Sequence, residues 1–442
     1  MIRAKGFAIP LSYAVPDMEQ TKNNKNILRR LYQLLLGIGP GIFAIGYTIG
    51  TGSVTAMVVA GSTYGMQLLW VLFLSCLFSW VLMEAYGRYA LVTGETALFG
   101  FRKHVPLGSL VAILIIIGVS FGQWNSLIGI LGISANAIFE TLVLFMPSVA
   151  GYEYGLVLAI AVVIISIMYF ILWIGKYSMF EKVLLLFVSI MGLSFLLSLF
   201  IVLPSPADII GGFVPSIPKV EGGKMLVAAF VGTTMAAATF LSRPLFIQGK
   251  GWKLDDLRAQ QKDALSAAVL IFFISGSIMA VAAGALYAEG KVVHKVLDMV
   301  NTLEPVAGRF AVAIFFLGTM GAGLSSIFPI LMITPILIAD YQAGKLDTSS
   351  LQFKVLTGLV SIIGLSVPIF GANPIEIQLL SQVFNVFVLP LVILGIIILV
   401  NKKALMGAHK AGWALNTGMV LALVFACIIS YNGLGAVIEY FK

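Results

Sequence analysis

Two short stretches hold the residues of this chain best placed to do chemistry. One reads Gly46-Tyr47-Thr48-Ile49-Gly50-Thr51-Gly52-Ser53; the other reads Gly232-Thr233-Thr234-Met235-Ala236-Ala237-Ala238-Thr239 and is followed by Arg243-Pro244. Each lies in an apolar run long enough to cross a bilayer, and each is rich in residues that weaken helices. A break at such a place frees backbone amides and carbonyls beside Thr and Ser hydroxyls. That equipment binds ions or small polar solutes, and irregular backbone at membrane depth persists only where it is buried or lines a cavity. The competing explanation is that small residues let helices pack closely. Gln382 adds an amide to the set. Gln123, Ser126, Asn125 and Asn385 are polar within apolar runs, where helix-to-helix hydrogen bonds are the commoner reason.

The groups that are missing narrow the chemistry. His104, His294 and His409 fall in predicted loops, no Asp falls in the middle of a predicted span, and Glu84 and Glu181 lie near span ends. A transition-metal site needs imidazole, thiolate, thioether or carboxylate donors. An Mg²⁺-type site normally takes one or two carboxylates. Carbonyls with Thr51, Ser53, Thr239 and Gln382 suit a hydrated cation, held weakly for want of countercharge. No His/Asp/Glu constellation supports an enzyme, no stretch suggests a cofactor, and Cys76 and Cys427 read as apolar fillers.

The elements that position these residues follow from composition. The 442 residues are 60% hydrophobic and 10% charged, with mean hydropathy +1.04. That excludes a soluble globular domain. Eleven spans are expected: Leu34–Ala60, Met66–Val92, Leu107–Phe139, Tyr154–Gly175, Tyr177–Pro204, Met225–Gln248, Ala264–Tyr287, Ala311–Ala339, Val355–Ala372, Ile377–Val400 and Trp413–Val437. The third and eighth are long enough to require tilt or protrusion. With the amino terminus inside, nineteen basic loop residues share its side, against six (Lys219, Lys224, Lys291, Lys295, Arg309 and Lys442) on the other. The positive-inside rule therefore places the amino terminus in the cytoplasm and the carboxy terminus outside. The net charge of +8 thus reads as topology, not as nucleic-acid affinity.

The two weakened spans, the first and the sixth, are five spans apart. An odd offset inverts the second half relative to the first, the plan of many secondary transporters. The expected organisation is a cytoplasmic tail over 1–33, a first repeat over 34–204, an extracellular loop over 205–224, a second repeat over 225–400, and a loop with the last span over 401–442.

Several local motifs carry a resemblance along nearly the whole chain. They are Gly39-Pro40-Gly41, Ala60-Gly61-Ser62, Val92-Thr93-Gly94, Glu181, Gly323, Ser325-Ser326 and Ser381-Gln382-Val383. In these the chain resembles the Nramp family of proton-coupled divalent-metal transporters. The resemblance implies an all-α LeuT-type inverted repeat of five plus five helices, with helices 1 and 6 broken and an eleventh span added. It also shows departures. Where the family has Asp-Pro-Gly-Asn, this chain has Gly50-Thr51-Gly52-Ser53; where the family has Met-Pro-His, it has Ala236-Ala237-Ala238. The third-span carboxylates correspond to Gln123 and Ser126, and a second sixth-span histidine corresponds to Arg243. Of the side-chain ligands the family implies, a glutamine-type one, Gln382, remains.

The sequence therefore suggests a secondary carrier whose site has lost its anion. The expected substrate-binding set is Gly50, Thr51, Gly52, Ser53, Thr234, Ala236, Ala238, Thr239 and Gln382. An unwound segment with free N–H groups suits a carboxylate, and the alanines would widen an apolar pocket. The expected substrate is accordingly a small organic acid or amino-acid-like solute, with a largely hydrated divalent cation (Mn²⁺, Fe²⁺ or Mg²⁺) as the alternative and a non-transporting sensor as a remote one. Gln123, Ser126, Arg243 and Glu84 form the expected coupling or gating set. Arg243 either snorkels to the interface or forms an ion pair, with Glu84 the gating partner considered. The expected setting is a bacterial plasma membrane, with the bilayer, a small solute or ion, and a coupling H⁺ or Na⁺ as partners, no nucleic acid, and a monomer.

Overall fold

A break at Gly50 divides the first span. Its first half-helix runs Gly41–Thr48 and stops at Ile49 (φ −94°, ψ 62°); Gly50 is extended (φ −90°, ψ −175°) and opens the second half-helix, Thr51–Tyr64. The halves are bent by 53°. The sixth span repeats the device, with Gly223–Thr234 followed by Met235, then Ala236 at φ −64° and ψ 117°, then Ala237–Lys250. Neither break uses a left-handed backbone, so Gly50 is not required there for its conformational freedom. Its lack of a side chain matters instead, as the site makes plain.

The computed structural model describes residues 39–174, 177–216, 223–287, 290, 293, 296–345, 348–370 and 373–440. The expected 1–33 tail, the start of the first span before Gly39, and His294 lie outside the described residues, as does the side chain of Glu181. Among the described residues, ten helices are long and apolar enough to cross a membrane, or eleven with the bent first pair counted as one span. The second to fifth spans are Leu69–Thr93, Gly108–Phe145, Glu153–Ile174 and Tyr177–Ile201. After the sixth come Leu257–Ala285, Val296–Ala343, Leu351–Gly364 with Ser366–Phe370, Pro374–Asn401 and Trp413–Tyr440.

Two boundaries differ from expectation in ways that matter. The seventh helix begins at Leu257, seven residues before the expected Ala264, so Gln260 and Asp263 are helical and buried. The eighth helix is interrupted at Gly308 (φ 71°, ψ 168°), a conformation open to glycine, and the span itself is Val312–Ala343.

Burial separates the spans into a core and a jacket. The apolar windows of the sixth and eighth spans are 94% and 83% buried, whereas those of the fourth, ninth and eleventh are 33%, 29% and 28% buried. The third span packs chiefly against the tenth and eighth, and the second half of the first span packs against the seventh. Glycine permits these approaches: a Cβ on Gly61 would stand 2.4 Å from Met279 O, and one on Gly232 would stand 1.9 Å from Gln382 O. Some hydroxyls are satisfied within their own helices, as Thr141 Oγ1 on Ala137 O and Thr357 Oγ1 on Phe353 O (2.8 and 2.7 Å). Polar groups that reach across helices are therefore the informative ones.

Candidate functional site

The two breaks meet. Thr233 Oγ1, at the end of the sixth span's first half, donates to Thr48 O at the end of the first span's first half (3.3 Å). Ser79 of the second span holds the other side of the sixth break, donating to Thr234 O at 3.0 Å. Between the breaks lies a cavity of about 10 Å³, lined by Tyr47, Gly50, Gly52, Gln123, Ser126, Ile130, Thr233, Ala236, Ile330 and Gln382. That is the room of roughly one water molecule. Tyr47 Oη is buried there and has no hydrogen-bond partner among the described residues.

One wall is a lattice of amides joining the third and tenth spans. Gln123 Nε2 donates to Asn385 Oδ1 (2.9 Å), and Asn385 Nδ2 donates to Gln382 Oε1 (3.1 Å). Gln382 Nε2 and Gln378 Nε2 both donate to Ser126 Oγ, at 3.0 and 3.1 Å. All five side chains are buried. None changes charge at physiological pH, so the lattice fixes two spans together without offering a carboxylate for a proton. The glycines make room for it. A Cβ on Gly52 would lie 2.3 Å from Gln378 Nε2 and 2.7 Å from Gln382 Nε2; one on Gly122 would lie 2.3 Å from Asn385 Oδ1. Gly50 gives way in the same manner to Ser326, whose Oγ would be 2.2 Å from a Cβ there.

The structure gathers part of the expected set at this cavity. Gly50, Gly52, Ala236, Gln382, Gln123 and Ser126 line it. Thr51, Ser53, Thr234, Ala238 and Thr239 are buried outside its lining: Ser53 Oγ meets Ser275 Oγ of the seventh span at 3.3 Å, and the hydroxyls of Thr51, Thr234 and Thr239 have no partner among the described residues. Only one alanine of 236–238 reaches the cavity, so the run does not widen it. After Ala236 the chain is helical again and turns the next residues away. Tyr47 and Thr233 lie within the two helix-weakening stretches but outside the expected substrate-binding set, and Gln378, one turn ahead of Gln382 at helical spacing, was not singled out.

Of the two expectations for Arg243, the structure has the ion pair and not the snorkelling. The residue is buried at 2% exposure and does not reach an interface. Its Nη2 pairs with Asp263 Oδ2 at 2.8 Å and donates to Gln260 O at 3.3 Å. Asp263 in turn accepts the Gly41 backbone N–H on both oxygens, at 3.2 and 3.0 Å. Glu84, the partner considered from sequence, is engaged elsewhere. It pairs with Arg88 (2.6 Å), one turn away on its own helix, and accepts from Gln261 Nε2 at 3.0 Å. The latch thus ties three elements: the start of the first span, the sixth span's second half and the seventh span.

Among the described residues, no group of three or more His, Cys, Asp and Glu residues is arranged to hold a metal ion. The most elaborate ionic cluster lies between the second and third spans. Glu95 there accepts from Lys103 Nζ (2.7 Å), Tyr89 Oη (2.8 Å) and His104 Nε2 (2.8 Å). Burial raises the Glu95 carboxyl pKa, but those three hydrogen bonds outweigh it and hold the group below its ordinary 4.5. Asp340 on the eighth span caps the short helix Ala97–His104, accepting from Thr96 Oγ1 and from the backbone N–H of Leu98 (3.0 Å) and Phe99 (3.1 Å).

Fold and site together define the class: a multi-pass, all-α membrane protein with two spans broken five apart and a polar cavity at their junction. The same architecture is found in solved transporters. A mutant of the Eremococcus coleocola manganese transporter superposes with a TM-score of 0.69 over 97% of this chain and 92% of that one, at 15% identity. The nucleobase-cation-symport-1 family transporter Mhp1, in a closed conformation, superposes with a TM-score of 0.57 over 90% of each chain, at 14% identity. These likenesses show the LeuT-type fold. The model of the natural resistance-associated macrophage protein-like (Nramp) family matches residues 41–436, and this chain belongs to that family. Among named relatives, the divalent metal cation transporter MntH of Vibrio campbellii is 24% identical over 421 residues, covering 92% of this chain and 94% of its own. The MntH of Klebsiella pneumoniae is 26% identical over 434 residues, covering 94% and 96%.

Proposed function

We propose that this chain is a secondary carrier working by alternating access, with a divalent metal cation taken up at the junction of the two breaks. The observation that carries the reading is the cavity itself: room for about one ion or water, with polar walls of hydroxyl and amide groups from Tyr47, Gln123, Ser126, Thr233 and Gln382. The named relatives are divalent metal cation transporters over nearly the same length. Without a carboxylate, the ion is held by neutral oxygens alone and binds weakly. Hard oxygen donors favour Mg²⁺ and Mn²⁺ over ions that prefer imidazole or thioether ligands. The roles of Gly50, Gly52, Ala236 and Gln382 in binding belong to this proposal. So do Gln123 and Ser126 as uncharged substitutes in the coupling route, the inside amino terminus, and the division into repeats over 34–204 and 225–400.

A small carboxylate is the second reading, favoured by one observation. Ser126 Oγ accepts two amide N–H groups and so has its own hydrogen left to donate, in a cavity that no acid faces. The small volume weighs against it. Calorimetric titration of purified protein with MgCl₂, MnCl₂ and a panel of small carboxylates separates the two. Saturable millimolar binding of a divalent ion, weakened in Gln382→Ala, supports the first reading. Carboxylate binding with no metal heat overturns it in favour of the second.

A further inference from the structure

We propose a binding site for a neutral, ring-bearing alcohol in a crevice between the third, ninth and tenth spans. The crevice is a cavity of about 240 Å³, far larger than the one between the breaks, and no residue of the first or sixth span lines it. Helical spacing accounts for the separation. On the third span Gln123, Ser126 and Ile130 line the central cavity, whereas Asn125 and Ile128 line the crevice. On the tenth span Gln382 lines the centre, and Leu380, Ser381 and Phe384 line the crevice. The two cavities thus lie on different sides of the contact between these spans. Phe370, at the end of the ninth span, is another lining residue and is exposed, as are Phe121 and Ile369 beside it. Access to the crevice is therefore from the hydrocarbon of the bilayer, not from the substrate path.

The lining selects the ligand. It holds no charged side chain, so an ion would give up its hydration without return. Phe370 and Phe384 supply aromatic walls, and Phe121 meets the Phe384 ring edge-on at 5.2 Å between centroids. Three lining residues are polar: Asn125, Ser366 and Ser381. Ser366 Oγ donates to Ile363 O and Ser381 Oγ donates to Gln378 O, both at 2.7 Å, so each hydroxyl has spent its hydrogen. Ser381 Oγ also accepts from Gln382 Nε2 at 3.5 Å. Asn125 Nδ2 donates to Phe121 O at 2.8 Å, which fixes the amide's orientation and leaves its oxygen and second N–H without a partner among the described residues. Serine and asparagine in spans commonly satisfy themselves in this way. What that explanation leaves over is three of them converging on one otherwise apolar cavity, with spare capacity that is mostly acceptor. A lipid tail has no hydrogen to give those oxygens, whereas a hydroxyl both donates and accepts. An apolar cavity of about 150 Å³ holds benzene, so this one has room for a ring with alkyl branches. Asn125 and Ser381 immediately precede Ser126 and Gln382, which are bonded at 3.0 Å in the central lattice. A molecule wedged here therefore braces that lattice and biases the conformations between which the carrier alternates.

The test uses no metal ion and no flux, so its failure leaves the proposed substrate untouched and the reverse also holds. Radiolabelled thymol, a phenol with one methyl and one isopropyl branch, is equilibrated with the full chain in lipid nanodiscs and corrected against empty discs. The competitors are unlabelled thymol and p-cymene, the same skeleton without the hydroxyl. One saturable site per chain is expected, with p-cymene competing about fivefold more weakly or worse, the worth of one net hydrogen bond. Leu380→Trp, which fills the crevice, is expected to weaken thymol binding at least tenfold. Asn125→Leu is expected to erase the preference for thymol over p-cymene while still binding both. Wild-type binding no greater than that of empty discs overturns the proposal, as does unchanged binding in Leu380→Trp. Equal competition by p-cymene also overturns it, leaving a crevice that any hydrocarbon fills, lipid tails included. If a variant does not fold, the two wild-type measurements decide.

Discussion

Removing either partner of the Arg243–Asp263 pair should cost more than removing both. Both side chains are 1% exposed, and the pair is bonded at 2.8 Å. Asp263→Ala strands a buried guanidinium with Gln260 O as its remaining polar partner at close range, and it leaves Gly41 N–H without its acceptor. Breaking a buried pair from one side costs about 3–5 kcal/mol, and an unsatisfied buried N–H adds about 1–3 kcal/mol. Arg243→Met leaves Asp263 charged but still holding the Gly41 N–H, so a cost of about 3–5 kcal/mol is expected. The double variant Arg243→Met/Asp263→Leu removes both charges and keeps apolar volume, and pairs replaced in this way are often neutral. Its cost should fall below that of either single variant. Melting curves by fluorescence-detected size exclusion, at one heating rate because membrane proteins unfold irreversibly, give the ranking. Additive losses, with the double variant the least stable, would refute the reasoning that the buried charges depend on each other.

Other outcomes follow from particular contacts. Gly232→Ala should destabilise the fold more than Gly52→Ala, because its Cβ meets the backbone Gln382 O at 1.9 Å whereas that of Gly52 meets movable amide ends at 2.3 and 2.7 Å; overpacking of this kind costs about 1–3 kcal/mol, and the comparison is read from melting temperatures. Gln382→Ala removes the bonds to Ser126 and Asn385 and a wall of the cavity, so divalent-ion uptake should fall at least tenfold, on the order expected for a lost ligand or its support, in a proteoliposome assay. Glu95 supplies a pH dependence. Its folded pKa lies below the ordinary 4.5, so its stabilisation is complete above that pH and is lost as pH falls through the lowered value. The melting temperatures of wild type and Glu95→Gln should therefore differ at pH 7 and converge in acid.

The spans and both breaks were legible because hydropathy and the density of glycine, serine and threonine are one-dimensional signals. The latch was not. Asp263 follows the charged run of Lys250, Lys253, Asp255, Asp256, Arg258 and Lys262, and so reads as part of a polar linker until the helix is seen to begin at Leu257. Glu84 was the nearer acid by membrane depth, but it had Arg88 one turn along the same helix, and that local pair took precedence. The glycines were legible as breaks and misleading as to cause. At Gly50 and Gly52 the backbone suits any residue, and the glycine serves neighbours 270 to 330 positions away in sequence, Ser326, Gln378 and Gln382. Pairings over such separations depend on how the repeats interlock, which periodicity along one chain does not encode. The organic solute drawn from the lost aspartate assumed an enlarged pocket. The helix that resumes at Ala237 removes that room.

The central claim is that a divalent cation crosses the membrane through the cavity between the breaks. Uptake of Mn²⁺ and Mg²⁺ into proteoliposomes tests it most directly, with wild type and Gln382→Ala reconstituted side by side. Saturable accumulation of at least one of these ions at millimolar concentration is expected, strongly reduced in the variant. No divalent flux by the wild type, together with saturable uptake of a small carboxylate, would contradict it.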